Sequence, residues 1–249
     1  MTAKVEMNPY RTTARVVGAL FIAGMVIGIA GHMLVQSILG APDHLSIVPA
    51  KGMLVAIGAM LMLMTVAGDA AHGVLMLPIL RQRGERIAFG YFGFRIVDAV
   101  FLAVGVVFLL LQIPLGREYL KAGGADAFYL QALSTVAIQA NLYAYNIAMT
   151  FLGVAGLMLC YVFYRAKLVP RLVAVWGLVG YAVILGGSVL EVMGFNLSSI
   201  HTIPGGLWEL FIGVWLIARG FNSSAFALPA ARTGIPAAPV VPSLHPAKP

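Results

Sequence analysis

The sequence predicts an all-α integral membrane protein, a bundle of six transmembrane helices with both termini in the cytoplasm. Three observations carry this. Hydrophobic residues make up 61% of the 249 and charged residues only 10%, against about 25% charged in a soluble domain. So thin a polar coat excludes an ordinary water-soluble enzyme and a disordered chain. The apolar residues gather into runs of about 20 or more, enough to cross a bilayer as a helix. The net charge of +7 sits in short clusters between those runs, which marks membrane flanks rather than a nucleic-acid surface.

Residues 1–15 form a short N-terminal segment, and the membrane domain takes in 16–221. The first span runs from Val16 to Leu39 without a charged residue. Its apolar stretch is too long for a cleaved secretory signal. The second, Gly52 to Leu80, carries Asp69, and the third, Ile87 to Leu115, carries Arg95 and Asp98. A polar connection follows from Gly116 to Asp126. The next uncharged stretch is too long for a simple crossing, so Tyr129 to Gln139 reads as an interfacial or partly buried lead-in and Ala140 to Tyr164 as the fourth span. The fifth covers Leu172 to Met193 with Glu191 near its end, and the sixth covers Pro204 to Ala218 with Glu209 inside it. Residues 222–249 are rich in Pro and Ala, the composition of a disordered tail. With six crossings most of the 16 Lys and Arg fall on the side of the termini. Only Lys51, Arg117 and Lys121 fall on the other. That asymmetry puts both ends inside.

Several stretches resemble one family. Ala14 to Phe21 (ARVVGALF) looks like its opening helix, and Leu75 to Arg81 with Ala88 to Ala99 (AFGYFGFRIVDA) like its second and third. Val169 to Leu172 and Leu207 to Phe221 (LWELFIGVWLIARGF) look like its fifth and sixth. This is the bacterial membrane-protein family catalogued as domain of unknown function 4386. The resemblance covers about residues 14 to 222. It implies a multi-helix fold in the bacterial cytoplasmic membrane, and no established activity.

The ionisable residues inside the spans carry the functional argument, because a charge at mid-bilayer costs about 2.5–3.5 kcal/mol on insertion scales. Counting 1.5 Å per residue from the basic helix ends puts Asp69 and Asp98 roughly 18 Å deep, Glu209 roughly 15 Å, and His72 and Arg95 roughly 13 Å. Thr65, Asp69 and His72 share one face of the second span at i, i+4, i+7 spacing. Tyr91, Arg95 and Asp98 repeat that spacing on the third. The short Gln82–Glu85 connection makes these two spans antiparallel neighbours. An ion pair from Arg95 to Asp69 or Asp98, with His72 nearby, is the natural solution. Gly205 and Gly213, one turn either side of Glu209, turn that acid toward the bundle.

Asp69, Asp98 and Glu209 around Arg95 leave two excess negative charges if all are ionised, so at least one acid is protonated or neutralised by a cation. An acid held neutral beside a histidine is the raw material of a proton relay. The alternative is a static clamp of hydrogen-bonded neutral acids between helices. A second, outer polar layer is expected from His32, Asn141, Asn146 and Glu191, with Asp43, His44 and His201 in outer loops. No two histidines show i, i+3 or i, i+4 spacing and no HExxH occurs, so no metal site is expected and no cofactor is named. The single cysteine, Cys160, offers no thiolate cluster. Trp176, Trp208, Trp215 and Tyr164 read as interface anchors. Gly18, Gly24, Gly28 and Gly31 read as a close-packing stripe. Ser188 has no histidine at matching depth, no GxSxG occurs, and neither a Walker loop nor GxGxxG is present.

The leading functional reading is a small transporter or channel-like permease whose proton- or cation-linked cluster is Asp69, His72, Tyr91, Arg95, Asp98 and Glu209. It requires a water-accessible cavity reaching that layer. The alternative is a non-transporting sensor, ligand-binding or assembly module with a structural clamp; a lipid-modifying enzyme ranks third. Expected partners are the bilayer and a small solute, proton or cation, with a second copy of the chain as a further candidate and no nucleic acid.

Overall fold

The computed structural model describes residues 10–226, all of whose regular structure is helical. The helices are α1 (Arg11–Leu39), α2 (His44–Arg81), α3 (Glu85–Leu110), α4 (Gln112–Tyr119), α5 (Ala125–Ala166), α6 (Arg171–Val192) and α7 (Ile203–Ala218). Short 3-10 turns at Ile200–Thr202 and Ser223–Ala225 complete the described chain. Leu111 keeps a helical backbone, so α3 and α4 form one rod from Glu85 to Tyr119. Six rods are long and apolar enough to cross a membrane, and the chain is a multi-pass membrane protein.

The packing order closes on itself. α1 lies on α2, α2 on α3, α3 on α5, α5 on α6, α6 on α7, and α7 returns to α1. Connections of a few residues hold consecutive rods antiparallel. One end of the ring carries the Arg81–Arg86 turn, the Arg165–Arg171 turn and Arg219; it is called the basic end below. There Gln82 donates to the Tyr10 hydroxyl, Arg83 donates to the Ala225 carbonyl, and the Asn222 amide donates to Leu168 O at 2.8 Å. Asn222 to Phe226 are therefore tied to the bundle rather than forming part of the disordered tail expected from residue 222. Residues 227–249 of that tail, and 1–9, lie outside the described residues.

Glycines set the closest helix approaches. A Cβ on Gly18 would stand 2.5 Å from the Gly213 carbonyl oxygen, and one on Gly31 would stand 2.7 Å from the Gly58 oxygen. The first pair seats α1 on α7 and the second seats α1 on α2, the close-packing role expected of small residues where helices have no hydrophobic drive to associate in lipid. In the ring's centre Trp208 is fully buried. Its ring touches Phe21, Phe163 and Tyr181, and its Nε1 donates to Val173 O at 2.7 Å. Trp208 is thus not an interface anchor: the indole N–H finds a backbone acceptor inside the protein, which removes its need for the headgroup region.

The lead-in expected at Tyr129 to Gln139 is partly buried, at Ser134 and Ala137, and is continuous with the fourth span. Residues 125–166 form one helix of 42 residues, about 63 Å long, roughly twice the hydrocarbon thickness. It and α2 overhang the end opposite the basic one, where α4 packs between them. Gly116 of α4 fits against Leu45 O and Pro49. The overhang is tied by a buried polar knot. Ser134 Oγ donates to Gln112 Oε1 at 2.6 Å, Gln112 Nε2 donates to Ser134 O at 3.2 Å, and His44 Nε2 pairs with Ser134 Oγ at 2.8 Å. His44 belongs to α2 rather than to a loop. A helical lead-in satisfies its own backbone, and this knot satisfies the side chains that the extra turns bury.

Gly18→Val forces α1 off α7 and is expected to cost about 1–3 kcal/mol, the range for overpacking. Gly93→Ala, at an exposed helical site with nothing within 4 Å of the added carbon, is expected to be neutral or stabilising by up to about 1 kcal/mol. Unfolding midpoints in detergent check both.

Candidate functional site

The α2–α3 interface brings together the polar faces of those two helices. Gly73 permits the approach, because a Cβ there would stand 3.2 Å from Arg95 Cβ. Arg95 donates through Nη2 to Asp69 Oδ1 and through Nη1 to Asp98 Oδ2, the latter at 3.1 Å. One guanidinium is thereby shared by two carboxylates from different helices. Their settings differ: the Asp98 side chain is fully buried and that of Asp69 is 27% exposed. A turn nearer the basic end the Tyr91 hydroxyl and His72 Nδ1 pair at 3.4 Å, and the edge of the His72 ring meets Phe21 at 4.2 Å. Thr65 hydrogen-bonds to Gly24 O and Leu61 O at 3.4 Å, so it serves the α1–α2 contact and not the cluster.

Glu209 turns inward but does not pair with Arg95. Its Oε1 accepts from the Tyr181 hydroxyl of α6 at 2.7 Å, while Arg95 and Asp69 lie within electrostatic reach. Tyr181 is a residue sequence reasoning missed. No spacing along α6 ties it to an acid on α7, so no local signal marks the pair.

The hydrogen bonding of the cluster is incomplete. His72 Nε2, Arg95 Nε and Asp98 Oδ1 are buried without partners. Such atoms are costly and uncommon, and in native proteins they mark strain, a proton site or a bound small species. The triad of Asp69, Arg95 and Asp98 carries one more potential negative charge than positive, in a setting where an unbalanced charge is expensive. One proton restores neutrality.

The outer layer does not assemble. His32 is exposed on α1. Asn141 Nδ2 donates to Gly105 O at 2.9 Å and ties α5 to α3. Asn146 donates to Leu142 O of its own helix, leaving its Oδ1 buried without a partner. Glu191 accepts from Leu197 N at 2.7 Å and closes the turn after α6. Equal height along the bundle does not give these residues a common azimuth. His201, expected in a solvated loop, is buried against α6, its Nε2 3.1 Å from Ser188 Oγ. Ser188 therefore does have a histidine at its level. Both are buried, which denies the serine access to a substrate. Among the described residues no group of three or more His, Cys, Asp or Glu is placed to hold a metal.

Two cavities lie away from the triad. One of about 290 Å³ lies between Phe108–Glu118 and Leu133–Ala140 at the overhanging end, and one of about 540 Å³ lies at the basic end. Neither is lined by a residue of the triad.

Arg95→Leu strands two carboxylates and is expected to cost about 3–5 kcal/mol. Adding Asp69→Asn and Asp98→Asn should recover part of the loss, since no charge is then left unpaired. Tyr181→Phe is expected to cost about 1–3 kcal/mol through its bond to an acid. Denaturation in detergent measures all three.

A family model described as Domain of unknown function (DUF4386) matches residues 16–220, the whole span from early α1 to the turn after α7. No curated protein and no solved structure matches the chain. Six apolar rods and a match over nearly all the described residues lead to one conclusion: the chain belongs to the DUF4386 family of membrane proteins.

Proposed function

We propose that this is a proton-linked permease of the bacterial cytoplasmic membrane, with its basic end in the cytoplasm and the Asp69–Arg95–Asp98 triad as its protonation centre. The supporting observation is the shared guanidinium. It joins a fully buried acid to a partly exposed one across two helices, and the buried acid keeps one oxygen unpartnered. A proton arriving at Asp69 and passing to Asp98 changes which carboxylate Arg95 holds, and so changes the α2–α3 contact. His72 and Tyr91 line the triad on one side and Glu209 approaches it from α7. The two cavities described above lie at the ends of the bundle, away from the triad, so the proton step is the part that has support.

The Arg95–Asp69 ion pair, which joins α2 to α3, favours one other reading, a non-transporting module in which the triad is a fixed clamp. Proteoliposomes holding a pH-sensitive dye separate the two. On the proton-linked reading the wild type collapses an imposed pH gradient faster than protein-free vesicles, and Asp98→Asn falls back to the protein-free rate while still folded. A wild-type rate equal to that of empty vesicles, with Asp98→Asn changing only the unfolding midpoint, overturns it in favour of the clamp.

A further inference from the structure

The cavity of about 540 Å³ at the basic end is bordered by the end of α5, the start of α6 and the end of α7. Lys167, Arg171 and Arg219 line it, and no Asp or Glu does. None of the three is in an ion pair among the described residues. Backbone conformation shapes the walls. Lys167 ends α5 in the left-handed region at φ 53, and Gly220 follows α7 at φ 71. Asn222 then binds back, its backbone N–H to Leu168 O and its side-chain amide to Lys167 O at 3.3 Å. Three cations are thus held around one space with their charge uncompensated, at the level where the apolar spans end.

An apolar strip descends from that space along α6 and α7. Trp215, itself in the cavity wall, stacks on Phe211 with ring centres 6.1 Å apart, and Phe211 meets Trp176 at 5.4 Å. Leu172 beside them is 85% exposed, the most exposed large apolar side chain in the described chain. A soluble anion would use the cations and leave the strip idle. A ligand with an anionic head and a hydrocarbon tail uses both, and basic pockets at helix ends bind such headgroups.

We propose that this cavity binds the phosphate headgroup of an anionic phospholipid, with an acyl chain lying along Trp215, Phe211 and Trp176. Lys167, Arg171 and Arg219 neutralise the phosphate. Arg171 is held over the Tyr164 ring at 5.5 Å, which limits the freedom it loses on binding.

The full chain reconstituted in vesicles tests this through its own tryptophans, because Trp208 is buried and Trp176 and Trp215 face the strip. Brominated phosphatidylglycerol should quench more than brominated phosphatidylcholine in competition. Each of Lys167→Gln, Arg171→Gln and Arg219→Gln should lower that preference by about fivefold, the ratio for roughly 1 kcal/mol per cation near an anionic surface. Arg165→Gln, at the same end but outside the cavity wall, should leave it unchanged. Should one of these variants fold poorly, the other two carry the test. Equal quenching by the two lipids, or a preference that survives loss of the cations, overturns the proposal. Displacement of the brominated lipid by inorganic phosphate overturns it too and reassigns the cavity to a free anion.

Discussion

Arg95 is the residue on which the interior is organised. A guanidinium is always charged and cannot shed its proton to escape the membrane, so the protein must surround it. It does so with two carboxylates drawn from two helices, and that requirement fixes the rotation of α2 and α3 about their axes. Gly73 follows from it, since any side chain there would hold α3 away. So does the fully buried Asp98, which is tolerable only because its neighbour one turn earlier is cationic. The rest of the ring then closes by shape: Gly18 against Gly213, Gly31 against Gly58, and Trp208 filling the centre with its one polar atom bonded to backbone.

The cluster and the ring divide the labour between specificity and adhesion. Apolar side chains facing lipid gain nothing by turning inward, so contact between these helices comes from close backbone approach and a few polar bonds. Asn141 to Gly105 O, Tyr181 to Glu209 and Thr65 to Gly24 O each join a different pair of helices. Glycines seat α1 on α7, while glycines and polar bonds together hold α1 on α2 and α6 on α7. Hydrogen-bonded polar groups are thus spread over the bundle, while the interior ion pairs are confined to α2 and α3.

Much of this is readable from the sequence where two constraints meet. Six spans follow from apolar run length together with the Lys and Arg asymmetry, which makes the long stretch 127–164 a single crossing. The faces bearing Asp69, His72, Tyr91, Arg95 and Asp98 follow from helical spacing, and the short Gln82–Glu85 connection places one face against the other. The outer residues show where that reasoning stops. Counting residues from a helix end yields height but not direction, so His32, Asn141, Asn146 and Glu191 share a level without sharing a face. Trp208 misleads because an indole is as much at home in a core with one acceptor as at a headgroup. The continuity of α5 is hidden because a helix that overhangs into a protein cap needs no more polarity than one ending in lipid. Tyr181 as the partner of Glu209 depends on α6–α7 docking, which no local pattern encodes.

The unequal rods have a mechanical consequence for the surrounding lipid. α2, the α3–α4 rod and α5, of 38, 35 and 42 residues, stand side by side, while α6 and α7 on the opposite flank have 22 and 16. Phe128, Tyr129, Leu133 and Val136 face outward on α5 of the tall flank, beside exposed Lys51, Arg117 and Glu118. A bilayer that covered those apolar side chains would thicken there and thin again around the short side, at fractions of a kcal/mol per Å of mismatch. The unequal rods therefore set the surrounding lipid two heights to match rather than one.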